Sequence, residues 1–165
     1  MDIKRILKHL TLGQTALRRS FSRTVLQNIE RSIAEAEQTH AGQIRFAVEA
    51  ALDIGPLLAG QSARQRAIEV FSRLRIWDTE HNNGVLIYLL LADRDVEIVA
   101  DRGVHIRLGQ PVWEEICREM EAAFREGRFE EGVVAGIRRV GSYLALHYPQ
   151  VGAKTNELPD QPVIL

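Results

Sequence analysis

The chain has 165 residues, 45% of them hydrophobic and 26% charged, so it is about one domain long and its composition excludes global disorder. The net charge of −1 is unevenly divided, because residues 1–23 contain six lysines and arginines against one acid, whereas the remainder carries 15 basic and 21 acidic residues. The single cysteine, Cys117, excludes an intramolecular disulfide. The longest apolar run, Val85 to Ala92, is far shorter than the ~20 residues of a membrane-spanning helix, and the N-terminus lacks the apolar segment of a secretory signal. We therefore predict a cytoplasmic protein.

The first half of the chain alternates between helical and strand periodicity. Apolar residues at i, i+3, i+4 and i+7 predict a short helix before Gly13, and the basic stretch 18–23 is interpreted as a connection. Ser62 and Gln65 have the spacing of a capping box at the start of a later helix. The predicted elements are a helix over residues 3–10, a helix over 24–39, a strand over 43–52, a loop over 53–60 and a helix from 62 to about 74.

Two apolar runs separated by the polar residues 93–95 predict an antiparallel hairpin. The first run, Val85 to Ala92, is continuous and rich in branched side chains, which is typical of a strand covered on both faces. We expect Leu89 and Leu91 to be buried on opposite faces of the sheet. The second run, Val96 to Ala100, begins with alternation and indicates a strand nearer the edge.

The remaining predicted elements are a helix opened by Pro111, a helix over residues 129–147 and an aperiodic tail. Strand, helix and strand in succession predict a right-handed crossover, so the first two strands should be parallel and the third antiparallel. The predicted fold class is α/β, a three-layer α/β/α sandwich with a small mixed β-sheet of three to four strands. The predicted organisation is a basic amphipathic leader (1–23), an α/β domain (24–149) and a loosely ordered tail (150–165).

This topology gathers polar residues at one rim of the sheet. The two parallel strands begin at the same edge and the antiparallel third strand ends there, so their flanking residues should meet. The gathered residues are Gln43, the stretch from Asp78 to Asn83, and Asp101-Arg102-Gly103, with His105 just beyond. Two interpretations stay open: these are turn and cap residues that bind their own backbone, or they form a functional site.

Other motifs are excluded by their spacing. Asp93-x-Asp95 matches the start of a calcium loop, but Ile98 stands where glycine is required and Val104 where glutamate is required. The histidines have no i, i+4 pairing, and the sequence contains no HExxH, GxSxG, P-loop or GxGxxG motif. Cys117 falls among apolar helix positions and is interpreted as a small core residue. The basic leader has almost no interleaved aromatic residues and the body is acidic, so we predict no nucleic-acid partner.

An ordered set of short motifs carries a family resemblance. The motifs are Gly42-Gln43-Ile44, Asn82-Asn83-Gly84-Val85-Leu86-Ile87, Asp93-Arg94-x-Val96-x-Ile98, and Phe124-x-x-Gly127 followed by Phe129-x-x-Gly132. In this order they resemble the TPM domain family, known from thylakoid-lumen proteins and many bacterial relatives, over roughly residues 26–148. The resemblance implies an α/β/α sandwich and a phosphatase-like activity. For some members of the family it also implies divalent-metal binding at the rim. Its members often carry a signal peptide and a membrane anchor. This sequence shows neither pattern, so we expect it to represent a small soluble cytosolic branch of the family.

Three departures from the family pattern fall at the rim. Asn82 stands where the family usually has aspartate, Gln43 stands where it often has glutamate, and Asp101-Arg102-Gly103-Val104-His105 replaces a Gly-x-Gly-x-Glu loop. Because calcium affinity follows the number of anionic oxygens, we expect a divalent cation (Ca²⁺ or Mg²⁺) to bind weakly or not at all. The candidate metal ligands are Asp78, Asn82 and Asp101.

Two functions remain open. The first is a non-catalytic binding or adaptor module with a protein partner, linked to membrane-protein or stress-related quality control. The second is a metal-dependent phosphatase acting on phosphate esters, for which the candidate catalytic residues are Asp78, Asp101, Arg102 and His105. We favour the adaptor because fold-level resemblance does not transfer activity when the site residues have changed.

The leader also has two interpretations. Its short apolar stripe lies beside Lys4, Arg5 and Lys8. The stripe either packs on the domain's own surface or gives residues 1–23 a weak peripheral contact with an anionic membrane.

Overall fold

The computed structural model describes residues 3–152 and 155–165, which form a mixed sheet covered by helices on both faces. The helices are α1 (Ile3–Thr11), α2 (Gln14–Ser20), α3 (Arg23–Glu37), α4 (Ile54–Leu58), α5 (Ala63–Arg73), α6 (Arg102–Leu108), α7 (Gln110–Arg125) and α8 (Phe129–His147). The strands are β1 (Gln43–Glu49), β2 (Gly84–Leu90), β3 (Asp95–Ala100) and β4 (Val163–Ile164). Within these described ranges, no helix combines the length and the apolar character needed to cross a bilayer.

The sheet has the strand order β3-β2-β1-β4. Strand β1 runs parallel to β2 and to β4, and β3 runs antiparallel to β2. Gln43 at the start of β1 lies beside Gly84 at the start of β2, and Leu90 at the end of β2 pairs with Asp95 across the hairpin. The predicted pairings and the predicted mixed α/β fold are therefore confirmed.

Alternating side chains divide the core into two halves, one on each face of the sheet. On one face, Ile87 and Leu89 of β2 pack in the same core as residues of α2, α3, α7 and α8; on the other, Leu86 and Tyr88 pack with α5. Every residue of β2 is buried, as expected of a central strand. The prediction that Leu89 and Leu91 lie on opposite faces is wrong, because residues two apart in extended chain point the same way and both belong to the first half.

Three short helices lie where the sequence predicted connections or no element. Helix α2 includes part of the basic stretch 18–23, α4 lies inside the predicted loop 53–60, and α6 follows β3 directly. Each has seven residues or fewer, too few for a clear periodic pattern. Each is held by a single buried apolar residue, which is Leu17, Leu57 or Val104 in turn. Burial in the tertiary structure, rather than local periodicity, therefore determines these helices.

The tail is attached to the free edge of β1. Strand β4 pairs Ala47 with Val163, and the Arg45 guanidinium donates hydrogen bonds to the carbonyls of Pro159 and Gln161. The sequence predicted no element here because two residues cannot show a strand period. The fourth strand completes the sheet at this edge.

Helix α1 docks on the domain through its polar side. Arg5 Nε donates to Asp93 Oδ2 at 2.9 Å, and His9 Nε2 lies 3.1 Å from Asp93 Oδ1. His9 Nδ1 accepts the Leu52 N–H at 3.0 Å, so Nε2 carries the proton that bonds Asp93. Ile6 packs against the core, and the rest of the apolar stripe faces outward. The exposed residues of the stripe are Ile3, Leu7 and Leu10.

Candidate functional site

The loop before β2 ties the starts of the two parallel strands together. Asn83 is fully buried; its N–H donates to Thr79 Oγ1 at 3.1 Å and its Nδ2 donates to the Ala41 carbonyl at 3.0 Å. Its own carbonyl accepts the Gln43 N–H at 3.2 Å. Asn83 therefore fixes the loop to β1, which is the role that the turn-and-cap interpretation assigns to such residues.

Gln43 faces the tail rather than open solvent. Its side chain is buried, and its Oε1 accepts the N–H groups of Glu157 at 3.0 Å and Leu158 at 2.9 Å. An amide oxygen with two lone pairs serves both donors at once. Gln43 therefore positions the tail and is not a wall of the pocket described below.

Asp101 links the end of β3 to the start of α6. Its N–H donates to the Gly84 carbonyl at 2.8 Å, and its Oδ1 accepts the Arg102 N–H at 2.6 Å. The other carboxylate oxygen, Oδ2, is buried and has no hydrogen-bond partner among the described residues. The carboxylate thus caps a helix with one oxygen and keeps the other for a further donor.

Gly103 lets the first turn of α6 approach the loop before β2. A Cβ at this position would lie 2.6 Å from the Asn82 carbonyl oxygen and 3.1 Å from the Tyr148 hydroxyl. Contacts of 2.6 Å to backbone are not tolerated, so only glycine permits this distance. Asn82 itself has a positive φ of 49°, which asparagine adopts more readily than most residues.

These elements enclose an open pocket of about 720 Å³ at the rim. This volume lies within the range of small-molecule and side-chain sites. Its wall includes Trp77, His81, Asn82, Asp101, Arg102, Arg107 and Tyr148.

Arg107 and Tyr148 form one side of this pocket. The Arg107 guanidinium carbon lies 4.7 Å from the centroid of the Tyr148 ring, and Nη1 donates to the His147 carbonyl at 3.0 Å. Burial raises the pKa of the Tyr148 hydroxyl, and so does the nearby Asp101 carboxylate, while Arg107 opposes the shift. Tyr148 therefore stays neutral at physiological pH and presents a hydrogen-bond donor.

The structure brings together only some of the candidate residues. Asn82, Asp101 and Arg102 line the pocket, as the predicted topology required. Asp78 and His105 are exposed and do not line it. No motif in the sequence marks the wall residues Trp77, Ile106, Arg107 and Tyr148. One signal in the sequence could have identified the two arginines. Asp101 can cap a helix, and a helix that begins there places Arg102 and Arg107 near the same rim.

The donors at this rim do not fit a resident divalent cation. Asp101 supplies one carboxylate, and one of its oxygens already bonds the Arg102 N–H. Calcium takes six to eight oxygen ligands, and magnesium takes six. Over residues 3–152 and 155–165, no three His, Cys, Asp or Glu side chains converge to hold a metal ion. Arg102 and Arg107 on the same wall would repel a cation.

The fold and this rim define a mixed-sheet α/β domain with a ligand-sized pocket at the amino-terminal ends of its parallel strands. The model of the TPM domain matches residues 17–143, which is most of the chain. This protein therefore belongs to the TPM domain family. The resemblance read from the short motifs is confirmed.

Solved structures of similar fold support the same assignment. The NMR structure of the BA42 protein from the psychrophilic bacterium Bizionia argentinensis is 28% identical, with a TM-score of 0.77 over 87% of this chain and 94% of that one. The N-terminal domain of a P. gingivalis protein is 18% identical, with a TM-score of 0.62 over 80% of this chain and 82% of that one. The N-terminal domain of cg2496 protein from Corynebacterium glutamicum is 11% identical, with a TM-score of 0.56 over 81% of this chain and 79% of that one. The last two likenesses show the fold alone. Among curated proteins, none matches this chain.

Proposed function

We propose that this protein is a non-catalytic adaptor whose rim pocket binds an acidic segment of a protein partner. The observation that carries the proposal is the composition of the wall, which includes Arg102 and Arg107 but a single carboxylate, Asp101. Guanidinium groups bind carboxylates through paired, charge-assisted hydrogen bonds. The family resemblance is the reason to connect such an adaptor with membrane-protein or stress-related quality control.

The contacts at the wall support binding of an anion. Arg107 is already oriented by the Tyr148 ring and the His147 carbonyl, so little side-chain entropy is lost when it binds. Arg102 is exposed and forms no ion pair with the described residues. Trp77, which is 48% exposed, supplies an aromatic surface beside them. Aromatic and arginine side chains are the residues that most often dominate protein interfaces.

The alternative, a metal-dependent phosphatase, has one supporting observation. Asp101 Oδ2 is buried without a hydrogen-bond partner among the described residues, as an oxygen waiting for a cation or a proton donor would be. Two-metal phosphoryl chemistry needs several converging carboxylates, and the proposed partners Asp78 and His105 do not line the pocket. The adaptor proposal therefore gives a role to more of the residues that line the pocket than the phosphatase proposal does.

The Arg102→Ala substitution tests the adaptor. A short oligoglutamate peptide titrated into the ¹⁵N-labelled protein should shift the amides of residues 81–84 and 101–108. Arg102→Ala should weaken this binding about tenfold, since a charge-assisted hydrogen bond contributes about 1.5 kcal/mol. The matched control is Arg138→Ala, which removes the same charge from an exposed position of α8 and should leave the affinity unchanged.

Two results would contradict this proposal. Equal binding by Arg102→Ala and Arg138→Ala would show that the pocket does not hold the peptide. Rapid hydrolysis of an aryl phosphate with Mg²⁺ or Ca²⁺, lost in Asp101→Ala while circular dichroism shows an intact fold, would establish the phosphatase instead.

A second proposal concerns α1, where every apolar side chain of the stripe except Ile6 faces outward although the helix is docked. Ile3, Leu7 and Leu10 are 66%, 56% and 61% exposed. With Lys4 and Lys8 on the same helix, we propose a weak, reversible contact with an anionic membrane that keeps the protein peripheral at its surface. Each basic residue near such a surface adds about 1 kcal/mol, so the attachment is salt-sensitive.

Vesicle co-sedimentation tests this contact with a triple variant, Ile3→Ser, Leu7→Ser and Leu10→Ser. Deleting residues 1–23 is not suitable, because Leu17 and Phe21 belong to the core. The unchanged protein should sediment with phosphatidylserine vesicles at low salt and be released at high salt. The triple variant should stay in solution, whereas Leu146→Ser, which alters an exposed leucine of α8, should behave like the unchanged protein. Failure of the unchanged protein to sediment at low salt would refute the contact.

A further inference from the structure

The edge strand β3 lies in a groove between two helices, away from the rim pocket. The strand order places β3 at one edge of the sheet, and both α5 and α7 pack against it. The groove has a volume of about 350 Å³. Its wall includes residues 95–98 of β3, Arg64 of α5, and Trp113, Cys117 and Glu121 of α7. An edge strand of six residues presents backbone groups to which another strand can bind.

The outward backbone groups of β3 are covered by side chains from the helices. The Asp101 N–H bonds the Gly84 carbonyl of β2, so alternate residues, Val96 and Ile98 among them, turn their backbone groups outward. The Val96 N–H donates to Glu121 Oε1 at a long 3.4 Å, and the Ile98 carbonyl accepts from Arg64 Nη1 at 2.6 Å. The two covering side chains are 22% and 36% exposed. A peptide that bound along this edge would have to displace both side chains.

The groove carries an excess of negative charge. Its wall contains the carboxylates of Asp95, Glu97, Glu114 and Glu121 against the guanidinium groups of Arg64 and Arg118. Burial and the neighbouring carboxylates raise the pKa of Asp95 to about 6. Burial likewise raises the pKa of Glu97, although Arg64 opposes that shift. A cationic occupant would relieve this repulsion.

Trp113 has a hydrogen-bond donor that the described residues leave unsatisfied. It lines the groove and is 1% exposed, yet its indole Nε1–H has no acceptor among the described residues. A buried donor without an acceptor is costly, and such donors are rare.

We propose that an extended, basic segment of a protein partner binds along β3 as an additional strand. Its backbone would pair with Val96 and Ile98, replacing the Glu121 and Arg64 side chains. Its lysines or arginines would face Asp95 and Glu97 on the α5 side of the sheet, because alternate side chains of a strand share a face. Strand addition supplies affinity through the backbone and specificity through alternate side chains. This site shares no residue with the proposed rim site and goes beyond it.

A titration with a synthetic peptide of alternating lysine and threonine tests the added strand. Amide shifts should change in residues 95–100 and on the facing side of α7, and an alternating glutamate–threonine peptide should leave these amides unchanged. The double variant Asp95→Asn and Glu97→Gln should weaken binding at least tenfold, because these carboxylates face the lysines. A double variant of equal charge change, Glu35→Gln and Glu126→Gln, alters exposed residues of other regions and should leave binding unchanged.

Backbone pairing is separated from simple charge attraction by N-methylation of the central residues of the lysine peptide. The methyl groups remove the backbone donors and keep the charge, so binding should fall at least tenfold. Equal binding by the methylated peptide, or by the groove double variant with its amide spectrum otherwise intact, would overturn the proposal. Arg102→Ala should leave this binding unchanged, so failure here and failure of the rim proposal give different results.

Discussion

Replacing Leu89 by alanine should lower the free energy of unfolding by about 2–5 kcal/mol. Leu89 is fully buried in the central strand, where it lies between Val48 of β1 and Val96 of β3. The substitution removes several methyl and methylene groups from the half of the core that contains α7 and α8. Strand β2 is paired on both sides, with β1 and with β3, so the backbone cannot collapse into the space that is left.

Chemical denaturation measures this loss directly. The matched control is Leu146→Ala, because Leu146 is 73% exposed on α8 and should change the free energy of unfolding by less than about 0.5 kcal/mol. A similarly small change for Leu89→Ala would show that β2 is not the strand on which the core depends.

The main sheet could be predicted from the sequence because its strands carry strong, long-range patterns. The apolar run from Val85 to Ala92 is long enough to identify a buried strand, and the crossover rule then fixes the direction of β1. The elements that were not predicted are short and depend on burial. Leu17, Leu57 and Val104 each hold a helix of seven residues or fewer, and no local pattern marks such a residue.

The candidate site was predictable only where topology alone determines position. Asn82 and Asp101 meet because parallel strands begin where the antiparallel strand ends. Arg107 and Tyr148 join them through an unpredicted helix and the end of α8, 41 positions apart in sequence. The sequence could not predict that the Trp113 indole N–H lacks an acceptor among the described residues. Whether a buried tryptophan finds an acceptor is determined by its neighbours in the folded structure.

The second large effect concerns a buried ionic network across β1, β2 and α5. Glu49 accepts hydrogen bonds from Arg66 Nε at 2.8 Å, from Arg66 Nη2 at 2.9 Å and from the Tyr88 hydroxyl at 2.6 Å. Burial and the bond to Glu49 raise the pKa of the Tyr88 hydroxyl well above its usual range, so it remains a donor. The bonds to Glu49 also raise the pKa of Arg66. The carboxylate is therefore fully paired although it is buried.

Arg66→Met should lower the free energy of unfolding by about 3 kcal/mol, because it leaves the Glu49 charge buried without a cation. The double variant Glu49→Gln and Arg66→Met should recover more than half of this loss, since no uncompensated charge is then buried. Arg73→Met, at an exposed position of the same helix, should change the stability by less than about 0.5 kcal/mol. If the double variant is as unstable as the sum of its two single variants, the two side chains do not act as a pair. The destabilisation by Arg66→Met would then reflect lost packing of the arginine stem on the sheet rather than an unpaired carboxylate.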